Sequence, residues 1–340
     1  MESLPRCVTE LARAARAAPS ADNSQPWQIN YADQVLELGY ASRVVGATFP
    51  AEHHATRLAM AACVENIVQA GRVIEVGLEQ LPADNSHYAR FRLDSVPTDS
   101  PALPDTHPLF LRHTNRFSFL RQPIPKSTID TVMPLREGGS VVRVLADAQE
   151  IAALSTAVRL ASSVRFSTQQ THELLAGSLR FSASDVECGD GLDVATLNLP
   201  PGGRALLKFT REWRSMERLN KFGLYRIFAR AEADPVRKAP LLIAIVGGSA
   251  NDAGRLMQRV WILLNGSGVA VQPYYVVSDE LNRLESGQLS GHHAGQIRAA
   301  KAIVESLIGT AELHIVLRCG FPTRQPQRSK RLPLNRLFSG

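Results

Sequence analysis

The segment 18–27 carries the side chains with the clearest capacity for binding chemistry. It reads Ala-Pro-Ser-Ala-Asp-Asn-Ser-Gln-Pro-Trp and stands between a helical pattern and a strand pattern. In such a turn the Ser20 hydroxyl, the Asn23 amide and free backbone N–H groups can hydrogen-bond a polar, planar ligand. The alternative is an ordinary helix-stop turn whose Trp27 packs in the core. On pattern alone both interpretations stay open.

Basic residues form a second group with binding potential. The 340-residue chain has a formal net charge of +6, which is compatible with an anionic ligand without requiring one. No recognised DNA-binding module accompanies the basic residues, so no nucleic-acid partner is expected. The alternative is a solvated basic tail. From Phe321 onward the sequence holds no acid and five basic residues: Arg324, Arg328, Lys330, Arg331 and Arg336.

Other catalytic and metal-binding patterns are missing from the sequence. It contains no G-x-S-x-G or Walker motif. The pairs His53-His54 and His292-His293 are adjacent residues whose side chains diverge on a helix, so no metal site is predicted. The four cysteines are far apart and form no C-x-x-C pair, which favours four reduced thiols.

The composition excludes several classes of protein. Hydrophobic residues make up 44% and charged residues 21%, values typical of a globular protein rather than a disordered or collagenous one. No stretch approaches the roughly 18 apolar residues of a membrane span. The start of the chain, 1–6, lacks the basic region and apolar core of a signal peptide. We therefore expect a cytoplasmic protein without a membrane partner.

The elements that position these groups mix helices, strands and hairpins, and the predicted class is therefore α+β. Periodicity predicts strands over 27–32, 35–40, 88–94, 141–145, 241–246, 269–277 and 313–317. It predicts helices over 4–18, 52–76, 147–161, 169–180, 206–231 and 294–308, and one that ends near Gly266. Gly77 and Asn251 are predicted as helix caps. The proline-rich stretch 95–108 is the best boundary.

Several segments together resemble a known family. The first is the turn 18–27. The second is Arg112-His-Thr-Asn-Arg116, an Arg-x-Thr-x-Arg motif followed by Pro-Ile-Pro at 123–125. The third is 239–274, and the fourth is Arg-Cys-Gly-Phe-Pro at 318–322, followed by further arginines. These segments resemble the signature of the nitroreductase family, the FMN-dependent flavoenzymes.

The order of the motifs implies a fused arrangement. In an ordinary member, a homodimer with shared flavin sites, the Arg motif precedes the Pro-Ser-x-x-Asn turn. Here the order is reversed, and Ser162–Arg165 is at best a remnant of a second turn. The resemblance, in particular to the Acg-like branch, implies two tandem halves, 1–105 and 106–340. They would form an intramolecular pseudo-dimer around antiparallel or mixed sheets with one flavin site. Residues 165–235 are not covered and would form a lid insert.

The resemblance implies FMN contacts from both halves. Because arginine binds phosphate in a bidentate manner, Arg112, Arg328 and Arg331 are assigned to the phosphate or ribityl chain, together with Thr114. Arg116 would lie near the pyrimidine edge, where its charge favours the reduced, anionic flavin. The alternative for Arg116 is a surface ion pair.

The first half would contribute the turn. Ser20, Asn23 and Gln25 are expected to reach the flavin. Glu65 and Asn66, in the long helix, are expected to form a buried interhelix hydrogen bond rather than line the site.

The loop 272–274 would pass the face of the flavin ring. Gln272, Pro273 and Tyr274 are assigned there, with backbone N–H groups offered to the reactive nitrogen. The alternative is an edge strand with Pro273 at a bulge.

The implied activity is ping-pong hydride transfer. NAD(P)H would reduce FMN, and the flavin would then reduce a small electrophile such as a nitroarene, quinone or enone. The cofactor carries this chemistry, so no catalytic acid or base is assigned. Three alternatives remain: an FMN-storage protein without turnover whose insert is a lid, a specialised biosynthetic oxidase or dehydrogenase, and an interaction protein that has lost its flavin. The chain would act as a monomeric pseudo-dimer or form a further homodimer.

Overall fold

The computed structural model describes residues 4–42, 50–83, 87–97 and 100–338. The first three residues of the chain, and residues 98–99 of the predicted boundary, lie outside the described residues. Two antiparallel sheets with packed helices dominate the structure, which confirms the predicted α+β class. Among the described residues, no helix combines the length and apolarity needed to cross a bilayer.

The first sheet begins with a two-residue hairpin. Asp33 and Gln34 both have positive φ, 49° and 61°, the conformation whose twist matches that of the flanking strands. Trp27 and Ile29 alternate inward and are fully buried. The strands lie in the order β1-β2-β4-β3. The elements are α1 (Arg6–Arg16), β1 (Trp27–Ala32), β2 (Val35–Tyr40), α2 (His54–Val73), β3 (Leu78–Leu81) and β4 (Ala89–Leu93).

The second sheet contains the longest apolar strands, and a group of short helices precedes its second long strand. The elements are α3 (Pro108–Leu111), α4 (Lys126–Val132), β5 (Arg136–Glu137), β6 (Ser140–Leu145), α5 (Ala148–Ser167), α6 (Gln169–Ser178), β7 (Leu179–Arg180), α7 (Ala183–Glu187), β8 (Leu192–Asp193), α8 (Gly203–Phe209), α9 (Trp213–Asn220), α10 (Leu224–Arg237), β9 (Leu241–Val246), α11 (Ala250–Gly266), β10 (Ala270–Tyr274), α12 (Val276–Glu285), α13 (Gly291–Ile308) and β11 (Leu313–Gly320). Strands β9 and β11 are buried along their whole length because helices cover both faces of the sheet.

The two sheets share one topology. The second sheet has the order β10-β11-β9-β6-β5. Its four longer strands are, in chain order, β6, β9, β10 and β11, and across the sheet they lie in the order first, second, fourth, third. The four strands of the first sheet lie in the same order. In both sheets a long helix, α2 or α11, connects the second strand to the third. The helices from α5 to α10 fall between the first and second of these strands in the second sheet. The same supersecondary unit therefore occurs twice.

Helices α2 and α11 pack against each other between the sheets. Glu65 is 1% exposed and forms ion pairs with Arg255 and Arg259. Next to it, the Gln258 amide donates to Asn66 Oδ1 at 2.6 Å. The interhelix hydrogen bonds predicted for Glu65 and Asn66 are thus confirmed. Because α2 and α11 belong to different repeats, these bonds connect the two repeats.

Gly254 sets the distance between α2 and α11. A Cβ there would lie 2.5 Å from the Leu58 carbonyl oxygen and 2.7 Å from Ala61 Cβ. We expect Gly254→Ala to lower the free energy of unfolding by about 1–3 kcal/mol, because the helix backbones must separate. Gly295→Ala is the matched control, since a Cβ on that helical glycine meets nothing within 4 Å. It should stabilise the protein by about 0.5–1 kcal/mol. Urea denaturation measures the free energy of unfolding of both variants. Equal changes in the two variants would contradict the close contact of α2 and α11 at Gly254.

The helical character predicted for 206–231 is confirmed, but it is divided among several helices. Three shorter helices, α8, α9 and α10, occupy this region. Gly223, with a φ of +87°, separates the last two of them. Helix α10 also runs through Pro235 instead of ending before it.

The predicted strand 269–277 and both predicted caps also need correction. The strand ends at Tyr274, and α12 begins at Val276. Helix α2 ends at Val73, before Gly77. The cap of α11 is Ser249 rather than Asn251: its hydroxyl accepts from Asp252 N, and the Asp252 carboxylate accepts from Ser249 N.

Two segments far apart in sequence complete the sheet edges. Ile29 N donates to the Leu337 carbonyl oxygen at 2.6 Å, and Phe338 forms a parallel bridge to Ile29. At the other sheet, Thr114 forms a parallel bridge to Val271 in the edge strand β10. The Arg-x-Thr-x-Arg motif is therefore held against the strand that leads into 272–274.

Candidate functional site

The Pro-Ser-x-x-Asn turn has an unusual backbone. Asp22, Asn23 and Gln25 have positive φ values of 48°, 57° and 49°, a region that non-glycine residues rarely adopt. Such strain persists where the surrounding structure enforces it, and it is frequent at functional sites. Here the Ser20 hydroxyl accepts from Gln25 N at 3.0 Å and closes the turn.

The turn joins two distant segments through its amides. Asn23 Nδ2 donates to the carbonyl oxygens of Gly191 and Lys330 at 3.1 and 3.0 Å. Gln25 Nε2 donates to the Gly189 carbonyl oxygen at 2.8 Å. Both side chains are buried. Asn23 and Gln25 therefore organise the loops around the site, while their contact with flavin stays a prediction.

Helix α11 holds the segment 112–116 in place. The Asn265 side chain accepts from His113 N at 2.9 Å, and Trp261 Nε1 donates to the His113 carbonyl oxygen at 3.2 Å. The Arg112 guanidinium lies over the Trp261 ring, 4.6 Å from its centroid. At the other end, Asn115 N donates to the Val271 carbonyl oxygen at 2.9 Å. Because the segment is anchored on both sides, Arg112 and Arg116 are fixed at its two ends.

Four arginines gather near the turn. Arg331 Nη1 donates to Asn23 Oδ1 at 2.8 Å, and Arg112 Nη2 donates to the Ala17 carbonyl oxygen at 3.0 Å. Arg328 donates to the carbonyl oxygen of Phe110 at 2.9 Å. Arg16, at the end of α1, completes the arginine cluster, which consists of Arg16, Arg112, Arg328 and Arg331. Within the described part of the chain, no carboxylate pairs with any of these four guanidinium groups.

The arginine cluster is electrostatically uncompensated. Burial, together with the charges of Arg331 and Arg328, holds the pKa of Arg112 well below its usual value. Burial and the charge of Arg16 lower the pKa of Arg331 to about 10, so it still carries its charge at neutral pH. The buried Nε atoms of Arg16 and Arg112 find no hydrogen-bond partner among the described residues. A dianion would relieve both deficits.

Arg116 lies in a second, mixed-charge group. Its guanidinium donates to the Thr196 hydroxyl at 3.4 Å. Burial lowers the pKa of Arg116 and raises the pKa of Asp22, while the attraction between the two opposes both shifts. Arg165, at the end of α5, also attracts the Asp22 carboxylate. The hydrogen-bond partner of Arg116 is thus a buried hydroxyl, Thr196, while its place at the flavin ring stays a prediction.

Residues 272–274 are the last part of the edge strand β10. Their backbone is therefore the edge strand of the alternative interpretation, and Pro273 lies in register opposite Leu317. Tyr274 is 5% exposed, and its hydroxyl donates to the Glu232 carbonyl oxygen at 3.2 Å. The buried Oε1 atom of Gln272 lacks a hydrogen-bond partner among the described residues. Gln272 therefore offers an unused polar atom beside the Arg-x-Thr-x-Arg segment.

Part of the predicted insert lies directly on the site. Residues 189–191 contact Asn23 and Gln25, and Thr196 contacts Arg116. Gly189 fits against the tail so closely that a Cβ would lie 2.5 Å from the Arg331 carbonyl oxygen. Segment 189–198 is named the cover segment below.

The structure brings most of the predicted residues together around one turn, one segment and one strand edge. Ser20 closes the turn, and Thr114 holds the segment against β10. Sequence reasoning missed Arg16, Asp22 and Arg165. Arg16 had a usable signal, since it comes four residues before Ser20 on the helix that leads into the turn. Arg165 closes the Ser162–Arg165 remnant, but no sequence pattern places it next to Asp22.

Comparison with known sequences finds a distant relative. No family model matches the chain. An uncharacterized protein, MT1398, from Mycobacterium tuberculosis (strain CDC 1551 / Oshkosh), is 26% identical over 317 residues. The match covers 89% of this chain and 44% of that protein, so the chain spans less than half the length of its curated relative.

Comparison with solved structures finds distant neighbours. A nitroreductase with bound FMN from Bacteroides fragilis is 8% identical, with 68% of this chain and 95% of that chain covered at a TM-score of 0.37. The FMN- and NADPH-dependent nitroreductase NfnB from Sphigopyxis sp. strain HMH is 16% identical, with 68% and 96% covered at a TM-score of 0.36. The solved structures to which the chain is similar include FMN-dependent nitroreductases, the family whose motifs its sequence resembles.

Proposed function

We propose that this chain is an FMN-binding, nitroreductase-like oxidoreductase with one flavin site formed by two tandem halves, 1–105 and 106–340. The observation that carries the proposal is the arginine cluster, four guanidinium groups without a described counter-anion beside the Pro-Ser-x-x-Asn turn. The repeated sheet topology supports the tandem halves.

The residues present fit FMN. Its phosphate dianion matches the arginine cluster, where Arg16 and Arg112 have unused buried Nε atoms. Arg112 and Arg116 are four residues apart, at most about 14 Å along an extended chain, so phosphate and ring can occupy opposite ends of one segment. At the ring end, Gln272 has its unused Oε1 atom, and Arg116 supplies a positive charge.

The chain's own residues would bind and orient the cofactor. When bound, FMN would supply hydride transfer from NAD(P)H to a small electrophile such as a nitroarene, quinone or enone. Arg116 would stabilise negative charge at the ring, and its partly desolvated position strengthens that interaction. The cover segment would exclude water through Thr196 and the loop 189–191.

The flavin content of the purified full chain tests the proposal. We expect one FMN per chain, seen by visible absorption and identified after heat release. If the purified protein is colourless, it is titrated with added FMN. Tight uptake of one equivalent supports the site, whereas a colourless protein that also fails to take up FMN would exclude both flavin turnover and flavin storage.

A second function, FMN sequestration without turnover, is favoured by the cover segment. Its contacts with Asn23 and Gln25 at the turn and with Arg116 at the predicted ring end would cover both ends of the proposed flavin site. Steady-state oxidation of NADPH with menadione separates the two functions. Turnover by the FMN-loaded protein would exclude pure storage, and its absence with NADH and NADPH alike would favour it.

A further inference from the structure

Two histidines and a glutamate meet where the two repeats join. His54 is the first residue of α2, His314 lies in β11, and Glu312 immediately precedes that strand. The adjacent pairs His53-His54 and His292-His293 gave no reason to predict a metal site, because neighbouring side chains diverge on a helix. The side chain that approaches His54 is instead His314, which is 260 positions away in the sequence.

The three potential ligand atoms form a compact triangle. His54 Nε2 lies 2.8 Å from His314 Nδ1, and each of these nitrogens lies 3.6 Å from Glu312 Oε1. Around a tetrahedral Zn²⁺ with bonds near 2.1 Å, ligand atoms are about 3.4 Å apart. Binding therefore requires the two ring nitrogens to separate by about 0.6 Å, which a small rotation of His54 allows because its ring lies partly at the surface.

The surroundings of His314 are those of a metal ligand. Its other ring nitrogen, Nε2, lies 3.0 Å from the Gly247 carbonyl oxygen. That partner assigns the proton to Nε2 and leaves the Nδ1 lone pair directed at His54, the arrangement in which a backbone carbonyl orients a coordinating imidazole. The Tyr275 ring stacks on His54 at 5.7 Å and 10°, a contact that is kept when the imidazole rotates within its own plane.

Charge and exposure favour a cation at this position. Glu312 supplies one negative charge and is 50% exposed, whereas His314 is fully buried. One side of the triangle is thus open to water, which can provide a fourth ligand.

We propose that His54, Glu312 and His314 bind one Zn²⁺ ion. Two imidazoles and a carboxylate with an open fourth position are a ligand set that this metal prefers. Because His54 belongs to the first repeat and the other two ligands to the second, the ion would link the repeats. The site is separate from the proposed flavin chemistry and does not depend on it.

Metal titration of the full chain tests the site. After chelator treatment and dialysis, Zn²⁺ alone is titrated at pH 7.5, with stoichiometry from elemental analysis and coordination from the d–d absorption of Co²⁺. We expect one ion per chain and a higher Tm with Zn²⁺. Glu312→Gln and His54→Gln should each weaken Zn²⁺ binding by at least about 10-fold. The substitution of Glu312 should leave the protein folded, because this side chain is half-exposed at the surface.

His292→Gln provides the matched control, since His292 is an exposed histidine beside a second one, outside the triangle. Its affinity for Zn²⁺ should equal that of the wild type. Absence of bound Zn²⁺ and of a Tm increase in the folded wild-type chain would overturn the proposal. So would equal affinities of the wild type, Glu312→Gln and His54→Gln.

Discussion

Arg112→Met is expected to weaken FMN binding by about 10- to 100-fold, the loss that accompanies removal of a charge-assisted hydrogen bond. The flavin-free protein should be no less stable than the wild type. Arg112 is buried beside Arg331 and Arg328, so its charge is unfavourable until an anion binds. Methionine removes the guanidinium that lies over the Trp261 ring, but its flexible, unbranched side chain can fill part of that space. Fluorescence titration with FMN and thermal unfolding without flavin measure the two effects.

The combination of weaker binding and retained stability distinguishes a ligand-binding arginine from a structural one. Arg121→Met is the control, because Arg121 lies on the exposed surface and outside the arginine cluster. Its FMN affinity should match that of the wild type. If Arg112→Met binds FMN normally and unfolds more easily, then Arg112 is a packing residue and the phosphate lies elsewhere.

Glu65→Ala should lower the free energy of unfolding by about 3–5 kcal/mol, the usual cost of breaking a buried ion pair by removing one partner. The Glu65 carboxylate is 1% exposed and binds two arginines of α11, Arg255 and Arg259. Its loss leaves both guanidinium groups with the Glu137 carboxylate as their remaining partner, which places the expected cost at the lower end of that range. Urea denaturation monitored by far-UV circular dichroism measures the change.

Glu79→Ala is the matched comparison, because Glu79 pairs with Arg92 on the surface, with the two side chains 54% and 55% exposed. That change should cost no more than about 1 kcal/mol. The pH dependence gives an independent check. Burial alone would raise the pKa of Glu65, but hydrogen bonds from Arg259 and Gln69 and the arginine charges lower it overall. The stabilisation is therefore complete at neutral pH and is lost on acidification. If Glu65→Ala loses stability on acidification as much as the wild type does, then other groups cause the acid transition.

Local patterns were sufficient for most of the strands. The hairpin 27–40 follows from alternation around a two-residue turn, and β9 follows from six consecutive apolar residues between a proline and two glycines. These signals succeed because side-chain periodicity and turn chemistry are properties of neighbouring residues.

The errors arise where tertiary packing overrides local preference. Val276 and Val277 favour a strand, yet they begin α12 because both side chains are buried in the core cluster beneath the second sheet. Pro235 is tolerated inside α10 for a similar reason, since that helix packs tightly along α5 and buries Val236.

The candidate site also contains residues that local motifs predict and residues that only tertiary packing brings into place. Asn23, Arg112 and Arg331 belong to motifs that can be read in the sequence. Arg165 has its place only because α5 ends near the turn, and the triangle at His54 requires one helix and one strand from different repeats. Contacts between residues so far apart in the sequence cannot be predicted from residue spacing.

The pairing of Ile29 with Leu337 has a consequence for the order of synthesis. The first sheet has its edge at β1, and Leu337, which covers it, is fully buried in the core. At roughly 5–20 residues per second, that edge emerges from the ribosome about 15–60 s before its partner exists. Throughout this interval β1 presents unpaired N–H and C=O groups, the template for intermolecular strand pairing. The nascent first sheet therefore passes through a long, aggregation-sensitive period that ends when the segment around Leu337 pairs with it.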